Sequence, residues 1–114
     1  MNNSLLSDVI IGKTAITSVP ENLFLNCARM ERIEINLNQI TEVPIGFLRP
    51  LAKLKILRMH QNAISFLSPM QLAANRALTE VDFRSNKLRE LPADLLRFSP
   101  LLTIVFDLLH HCFL

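Results

Sequence analysis

Hydrophobic and polar residues follow a pattern that recurs along this chain. The stretch "LTEVDFRSNKLRELP" at 78–92 has apolar residues at its first, fourth, sixth and eleventh positions, with Asn86 between them. A buried amide that lacks hydrogen bonds costs roughly 1–3 kcal/mol, so an isolated asparagine among core residues would be unfavourable. We therefore expect other parts of the chain to supply its hydrogen-bond partners.

The same pattern occurs at a fixed spacing earlier in the chain. Asn38, Asn62 and Asn86 recur at equal intervals, and "LSDVIIGKTAITSVP" at 6–20 has Thr14 in the asparagine position. The apolar neighbours keep this spacing without insertion or deletion, as in the sets Leu78, Leu54 and Met30, then Val81, Leu57 and Ile33, then Phe83, Met59 and Ile35. The chain is therefore predicted to contain repeats that start near residues 6, 30, 54 and 78.

The repeated unit L-x-x-L-x-L-x-x-N-x-L, followed by an apolar residue and often proline, resembles the leucine-rich repeat. The resemblance covers roughly residues 6–100, and the 24-residue period is similar to the class common in extracellular and receptor proteins. It implies an architecture more than a function, because this family is defined by its fold.

The repeats predict a solenoid built on a parallel sheet. "RIEIN", "ILRMH" and "EVDFR" alternate apolar and polar residues, which is typical of half-buried strands. Equivalent strands would stack about 4.8 Å apart. The expected fold class is an α/β repeat solenoid, a short curved arc with the sheet on its concave face and loops or short helical turns on its convex face. Residues 1–114 are expected to form a single domain, and 68–77 its most helical returning segment.

Two sets of equivalent residues are predicted to stabilise the stack. Asn38, Asn62 and Asn86 would form a structural ladder whose amides bond backbone groups of their own and adjacent repeats. The returning segments would contribute a second column, composed of Phe24, Leu48, Leu72 and Leu96.

The pattern weakens near the end of the sequence. At the spacing of the earlier repeats, Leu102 and Val105 fall at apolar core positions. A shift by one residue places Ile104 and Phe106 at core positions instead. The segment 101–114 is therefore predicted to be a degenerate fifth repeat, or foreign sequence joined to a truncated array. Uncapped repeat ends expose apolar surface, so self-association by edge pairing is one hypothesis for the function.

Residues between the core positions of each strand should point out of the concave face. Lined up across repeats, they read Asp8, Arg32, Ile56 and Glu80, then Ile10, Glu34, Arg58 and Asp82, then Gly12, Asn36, His60 and Arg84. We expect Glu34, Arg58 and Asp82 to form a lateral ion-pair ladder. Charges around apolar spots are typical of protein-binding surfaces, although a solvated face whose charges only keep the protein soluble fits the same pattern.

The sequence thus favours a non-enzymatic module that binds a protein partner on the concave sheet face. The candidate partner-binding residues are Arg32, Glu34, Ile56, Arg58, His60, Glu80, Asp82 and Arg84. Two alternatives remain: a fragment of a larger leucine-rich repeat receptor or signalling protein, and a self-associating structural repeat.

Composition excludes several function classes. The formal charge of +2 on 114 residues does not favour nucleic acid or a membrane surface, and no apolar run is long enough to span a bilayer. Two glycines leave no phosphate-binding loop, and metal-ligand spacings are absent. Adjacent ligands in "HHC" at 110–112 would point to alternate faces. We expect no enzyme activity, no cofactor and no metal.

The remaining features concern compartment and one charged edge. Two cysteines and no secretory signal favour a cytoplasmic location, or an extracellular one if the chain is part of a receptor array. Arg29 and Lys53 occupy equivalent positions before their strands, with Arg76 one position out of step. They could bind an acidic ligand, or their aliphatic stems could close the edge of the repeats.

Overall fold

The computed structural model describes residues 5–99 and 102–106. Its five strands lie side by side in one sheet, in chain order, and every neighbouring pair is parallel. The strands are β1 (Asp8–Gly12), β2 (Arg32–Asn36), β3 (Ile56–Arg58), β4 (Glu80–Phe83) and β5 (Thr103–Phe106). Each connection returns the chain to the same end of the sheet, so the fold is a parallel-strand solenoid of about four turns. The predicted repeat architecture is confirmed at this level.

The constant repeat length sets the strand register from β1 to β4. Val9, Ile33, Leu57 and Val81 are paired in one row across the sheet and are all buried. Alternate residues of β2 are buried, because successive side chains of a strand point to opposite faces. The buried face packs against the returning segments, and this layer forms the hydrophobic core.

The fifth repeat keeps the turn but shortens the strand entry. Leu102 takes the place of Leu78 one repeat later, and its N–H donates to the Ser99 carbonyl at 3.0 Å, as in the turns before β2, β3 and β4. In β5, however, Ile104 pairs with Val81. The number of residues between these two partners is one less than between paired residues of the earlier repeats. One residue is therefore missing between the turn and the strand, which agrees with the one-residue shift considered for this segment. The rest of the predicted tail lies outside the described residues.

The returning segments are series of turns, and the described part of the chain contains no helix. Each series has four backbone bonds between residues three apart; in the second repeat the N–H donors belong to Phe47, Arg49, Leu51 and Leu54. These donors are two or three residues apart, so the bonds close separate turns instead of a continuous helix. The expected α/β class and its short helical turns are not confirmed, whereas the loops are.

Ser68 makes two local bonds at the start of 68–77, yet this segment is no more helical than the others. The Ser68 N–H donates to Oε1 of Gln71 at 3.2 Å, and the Ser68 hydroxyl accepts from the Met70 N–H at 3.2 Å. These are the contacts of a capping box, which favours a helix start, but the residues that follow form the same series of turns as in the other repeats. Gln71 then donates to the Val43 and Pro44 carbonyls of the preceding repeat, both at 3.2 Å.

One predicted core column is wrong in the fourth repeat. Phe24, Leu48 and Leu72 are fully buried, but Leu96 is 40% exposed. Its neighbour Leu95 is buried, like Phe47 and Gln71 at the same position of earlier repeats. The earlier members of the column are covered by the next returning segment. No returning segment follows Leu96 among the described residues, so nothing there covers its side chain.

Residues 5–99 and 102–106 contain no helix long and apolar enough to cross a membrane.

Candidate functional site

The asparagine column lies where the strands end and bonds backbone groups of two turns at once. Asn62 donates from Nδ2 to the carbonyls of Ile35 (2.8 Å) and Met59 (3.1 Å), and its Oδ1 accepts from the Ile40 N–H at 3.3 Å. Asn86 makes the equivalent bonds one repeat later. These contacts engage the amides with the backbone and give them a structural function in the stack.

The first rung of this ladder contains threonine. Thr14 donates from its hydroxyl to Oδ1 of Asn38 at 2.7 Å, and its backbone N–H donates to the same oxygen at 3.1 Å. Asn38 in turn donates from Nδ2 to the Asn36 carbonyl at 2.9 Å. A hydroxyl therefore occupies the asparagine position in the first repeat while the ladder remains connected.

A left-handed backbone residue precedes every rung. Lys13, Leu37, Gln61 and Ser85 occupy the same position in four successive repeats, and their φ angles lie between 56° and 58°. This conformation turns the chain at the end of each strand just before the asparagine or threonine. None of the four is glycine, although the left-handed region costs an L-residue about 1–2 kcal/mol.

The outward-pointing side chains of the strands, together with His60 and Arg84 just beyond the strand ends, are called the sheet face below. The strand register places Arg32, Ile56 and Glu80 in one row and Glu34, Arg58 and Asp82 in the next. The residues chosen as candidates from the sequence are thus neighbours on one surface.

Ion pairs link most of this surface into a chain of alternating charge. Arg32 Nη2 lies 2.7 Å from Glu34 Oε1, and the same oxygen lies 2.8 Å from Arg58 Nη1. Arg58 then reaches Glu80, with its Nε 2.6 Å from Oε2. Arg58 thus links its own repeat to both neighbouring repeats. Its side chain is 31% exposed, so it still offers part of its surface to a partner.

A second group lies beside this chain of charges. Arg84 binds the Asp82 carboxylate through two nitrogens, with Nε 3.1 Å from Oδ1 and Nη2 2.9 Å from Oδ2. Nδ1 of His60 is buried and lies 3.6 Å from Oδ2 of Asp82. The Asp82 side chain is only 8% exposed, whereas that of Arg84 is 55% exposed. Arg84 is therefore the more accessible member of this group.

These pairs shift the ionisation of the carboxylates. The hydrogen bond from Arg32 lowers the pKa of Glu34, and the Arg58 bond adds to this against the opposing effect of burial. Burial raises the pKa of Asp82, but hydrogen bonds from the side chain and backbone of Arg84 outweigh it, so the net shift is downward. Hydrogen bonds from Arg58, first to Glu80 and then to Glu34, raise the pKa of that guanidinium. The sheet face thus stays charged at neutral pH.

The predicted lateral ladder is only half correct. Glu34 and Arg58 pair as expected, but Arg58 takes Glu80 as its second partner, and Asp82 pairs with Arg84. A long guanidinium can reach diagonally to a neighbouring row, which the alignment of columns does not reveal. The charges still alternate in sign, but along a zigzag line.

Apolar groups interrupt and border the charged surface. Ile56 is half-buried between Arg32 and Glu80 in its row. Ile10, 67% exposed, and Val105, 38% exposed, occupy the two ends of the neighbouring row. A partner that covers the charges would therefore also remove apolar surface from water.

A second set of buried polar residues was missed by the sequence interpretation. Asn75, fully buried, donates from Nδ2 to the carbonyls of Leu48 (2.8 Å) and Leu51 (3.0 Å) on the return side. Ser99 donates from its hydroxyl to the Asn75 carbonyl at 3.1 Å. They share a column with Cys27 and Leu51, so a polar pair in a column otherwise filled by apolar residues was the available signal.

The described residues contain no group of three or more His, Cys, Asp or Glu side chains that could hold a metal ion. Shallow grooves lie between neighbouring returning segments, one of about 500 Å³ beside Phe66 and Pro92 and one of about 640 Å³ beside Leu25 and Arg49. Their lining includes no residue of the sheet face. The "HHC" segment lies outside the described residues.

No family model matches the chain. The resemblance to leucine-rich repeats therefore rests on the residue pattern, and the structure supports a parallel-strand repeat solenoid.

Proposed function

We propose that this chain is a leucine-rich repeat module without enzymatic activity, which binds a protein partner through the sheet face on the concave side of the solenoid. The observation that carries the proposal is the cluster of partly exposed, mutually paired charges around Ile56, held on neighbouring strands of one sheet. The residues that would contact the partner are Arg32, Glu34, Ile56, Arg58, His60, Glu80, Asp82 and Arg84.

Several properties of the cluster suit a protein partner. Exposed ion pairs add at most about 1 kcal/mol each to stability, so folding alone gives little reason for so many. Arginine with apolar neighbours is enriched at interface hot spots. Three arginines face three carboxylates on this surface, and a partner with charges of both signs matches it better than a polyanion.

Charge reversal is the first test of this proposal. Arg58→Glu combined with Arg84→Glu should abolish capture of a partner from the native source, while the circular dichroism spectrum stays unchanged. Lys13→Glu with Lys87→Glu is the matched control, because it changes the net charge equally at two exposed residues off this face. Ile56→Lys provides a second variant if the double reversal fails to fold. Equal capture by folded sheet-face variants and wild type would contradict the proposal.

Site-specific photo-crosslinking locates the contact directly. A photoreactive phenylalanine analogue at Ile56 should crosslink the captured partner, whereas the same analogue at Phe66, which is 65% exposed on a returning segment, should not. A second candidate function, self-association through the sheet ends, is favoured by exposed Val105 and Phe106 on β5. It predicts crosslinks between two copies of this chain from Val105 instead.

A further inference from the structure

Four cations are exposed on the return side near the points where the strands begin. Arg29, Lys53 and Arg76 each lie within the last turn before a strand, in three successive repeats, and Arg97 lies in the fourth returning segment. We call Arg29, Lys53, Arg76 and Arg97 the return-edge strip. The parallel register of β2, β3 and β4 stacks the last turns of the first three repeats side by side, so these cations follow one another along the solenoid.

The strip differs from the sheet face in its counter-ions. Among the described residues, none of its four cations takes part in an ion pair, whereas Arg32, Arg58 and Arg84 all do. The nearest acidic residue in sequence, Glu31, is already paired with Lys55 at 3.2 Å. The cations of the strip are therefore not neutralised by ion pairs with described residues, although Asp94 lies in the same turn as Arg97.

Two of the cations converge on one aromatic ring. The guanidinium carbons of Arg76 and Arg97 each lie 5.7 Å from the centroid of the half-buried Phe98 ring. Cation–π contact favours each guanidinium at this distance, but it also holds two like charges near one another. An anionic group bound beside the two guanidiniums would relieve that repulsion.

We propose that the return-edge strip binds an acidic polypeptide segment. An extended chain rises about 3.3 Å per residue, so alternate side chains on one side stand roughly 6.6 Å apart. Successive turns of the solenoid are about 4.8 Å apart at the sheet and diverge on the outer side of a curved stack. Acidic residues at alternate positions can thus meet successive cations of the strip.

Nucleic acid fits this surface less well. Single-stranded nucleic acid binds by stacking its bases on free aromatic rings along a basic groove. Phe98, the aromatic ring that the described residues place against the strip, already contacts two guanidiniums, and the whole chain carries a formal charge of only +2. The strip is separate from the sheet face, so this inference goes beyond the function proposed above.

The test measures binding of a fluorescent octaglutamate peptide by fluorescence anisotropy at an ionic strength of about 0.15 M, where exposed charges more than about 8 Å apart are largely screened. Wild-type protein should bind octaglutamate and not octaglutamine. Arg76→Glu combined with Arg97→Glu should weaken binding by at least about tenfold, because two attractive contacts become repulsive. Arg29→Glu with Lys53→Glu is the second variant and should have a similar effect if the first fails to fold.

Two controls carry the same change in net charge. Lys13→Glu with Lys87→Glu, and Arg58→Glu with Arg84→Glu on the sheet face, should each change the dissociation constant by less than about threefold. Retained peptide binding by the sheet-face variant would also show that the two surfaces act separately.

Three results would overturn the inference. They are equal weakening by the strip and control variants, no preference of wild type for octaglutamate over octaglutamine, and tighter binding to oligothymidylate or to phosphatidylserine vesicles than to octaglutamate. The first would reduce the effect to bulk charge, and the last would assign the strip to a different class of partner.

Discussion

The asparagine ladder and the sheet face are both columns of polar side chains that recur once per repeat, yet they differ in what they bond. Asn62 bonds backbone groups that recur in every turn, so the residue type recurs as well. Arg58 bonds the side chains of Glu34 and Glu80, which differ from repeat to repeat. The repeated backbone geometry therefore restricts the residue type in the ladder, whereas the residue types of the sheet face can differ between repeats. A surface whose residues differ on a constant backbone can become specific for a partner.

The largest expected effect breaks the ladder. Asn62→Ala removes bonds to the Ile35 and Met59 carbonyls and the Ile40 N–H, all within fully buried residues. Leaving buried backbone groups unpaired should lower the free energy of unfolding by about 2–3 kcal/mol. In urea unfolding followed by circular dichroism, this corresponds to a midpoint lower by about 1–2 M.

The adjacent Gln61→Ala serves as its control. Gln61 is exposed, and this change should alter the free energy of unfolding by less than about 0.5 kcal/mol. A loss in Asn62→Ala no larger than that of the control would show that the ladder contributes little to stability.

A smaller effect concerns the ionised face and its dependence on pH. The pKa values of Glu34 and Asp82 are lowered in the folded state, from ordinary values of 4.5 and 3.8. Below pH 5 the unfolded chain binds more protons than the folded one, so unfolding takes up protons. Stability should therefore fall as the pH decreases through about 4.5 and below, and urea midpoints between pH 7 and pH 3 measure this loss.

Two substitutions separate this effect from general acid denaturation. Asp82→Asn should flatten the decline below pH 5, since it removes one of the groups with a lowered pKa. Glu42→Gln, at an exposed residue with no ion pair to any described residue, should leave the slope unchanged. Identical slopes for wild type and Asp82→Asn would contradict the assignment.

The smallest expected effect concerns the left-handed residue that precedes each residue of the ladder. Gln61 has a φ of 58°, which glycine adopts without the steric cost of an L-residue. Gln61→Gly should therefore raise the free energy of unfolding by about 0.5 kcal/mol, the difference between that steric cost and the chain entropy of glycine. Gln39→Gly, at an exposed position outside the left-handed set, should lower it by a similar amount. The urea midpoints should move in opposite directions; a shift of both in the same direction would be the contrary result.

The features that the sequence predicted well depend on the backbone. The register from Asp8 to Asp82 and the turn that places each asparagine follow from a fixed number of residues per repeat. A fixed repeat length requires equivalent residues to stack, so their alignment in sequence becomes proximity in space. The repeat alignment left two registers open for the fifth strand, and one of them, shifted by one residue, places Ile104 opposite Val81 as in the structure.

The features that the sequence did not predict depend on side-chain choice. Arg58 pairs diagonally with Glu80 because a long guanidinium has several partners within reach. Leu96 is exposed, unlike Leu48 and Leu72, because burial at this position depends on what covers the fourth returning segment. The bond from Ser99 to Asn75 escaped notice because neither residue type recurs in that column. Aligning equivalent residues of the repeats predicts which residues lie near one another, but not which of these a side chain will contact.

One measurement tests most directly whether the ladder supports the fold while the face remains available for binding: urea unfolding of Asn62→Ala and Arg58→Gln in parallel. Arg58→Gln breaks two partly exposed ion pairs and should cost at most about 1 kcal/mol for each pair, less than the loss in Asn62→Ala. A lower midpoint for Arg58→Gln than for Asn62→Ala would contradict the account, because the charged face would then be stabilising the fold.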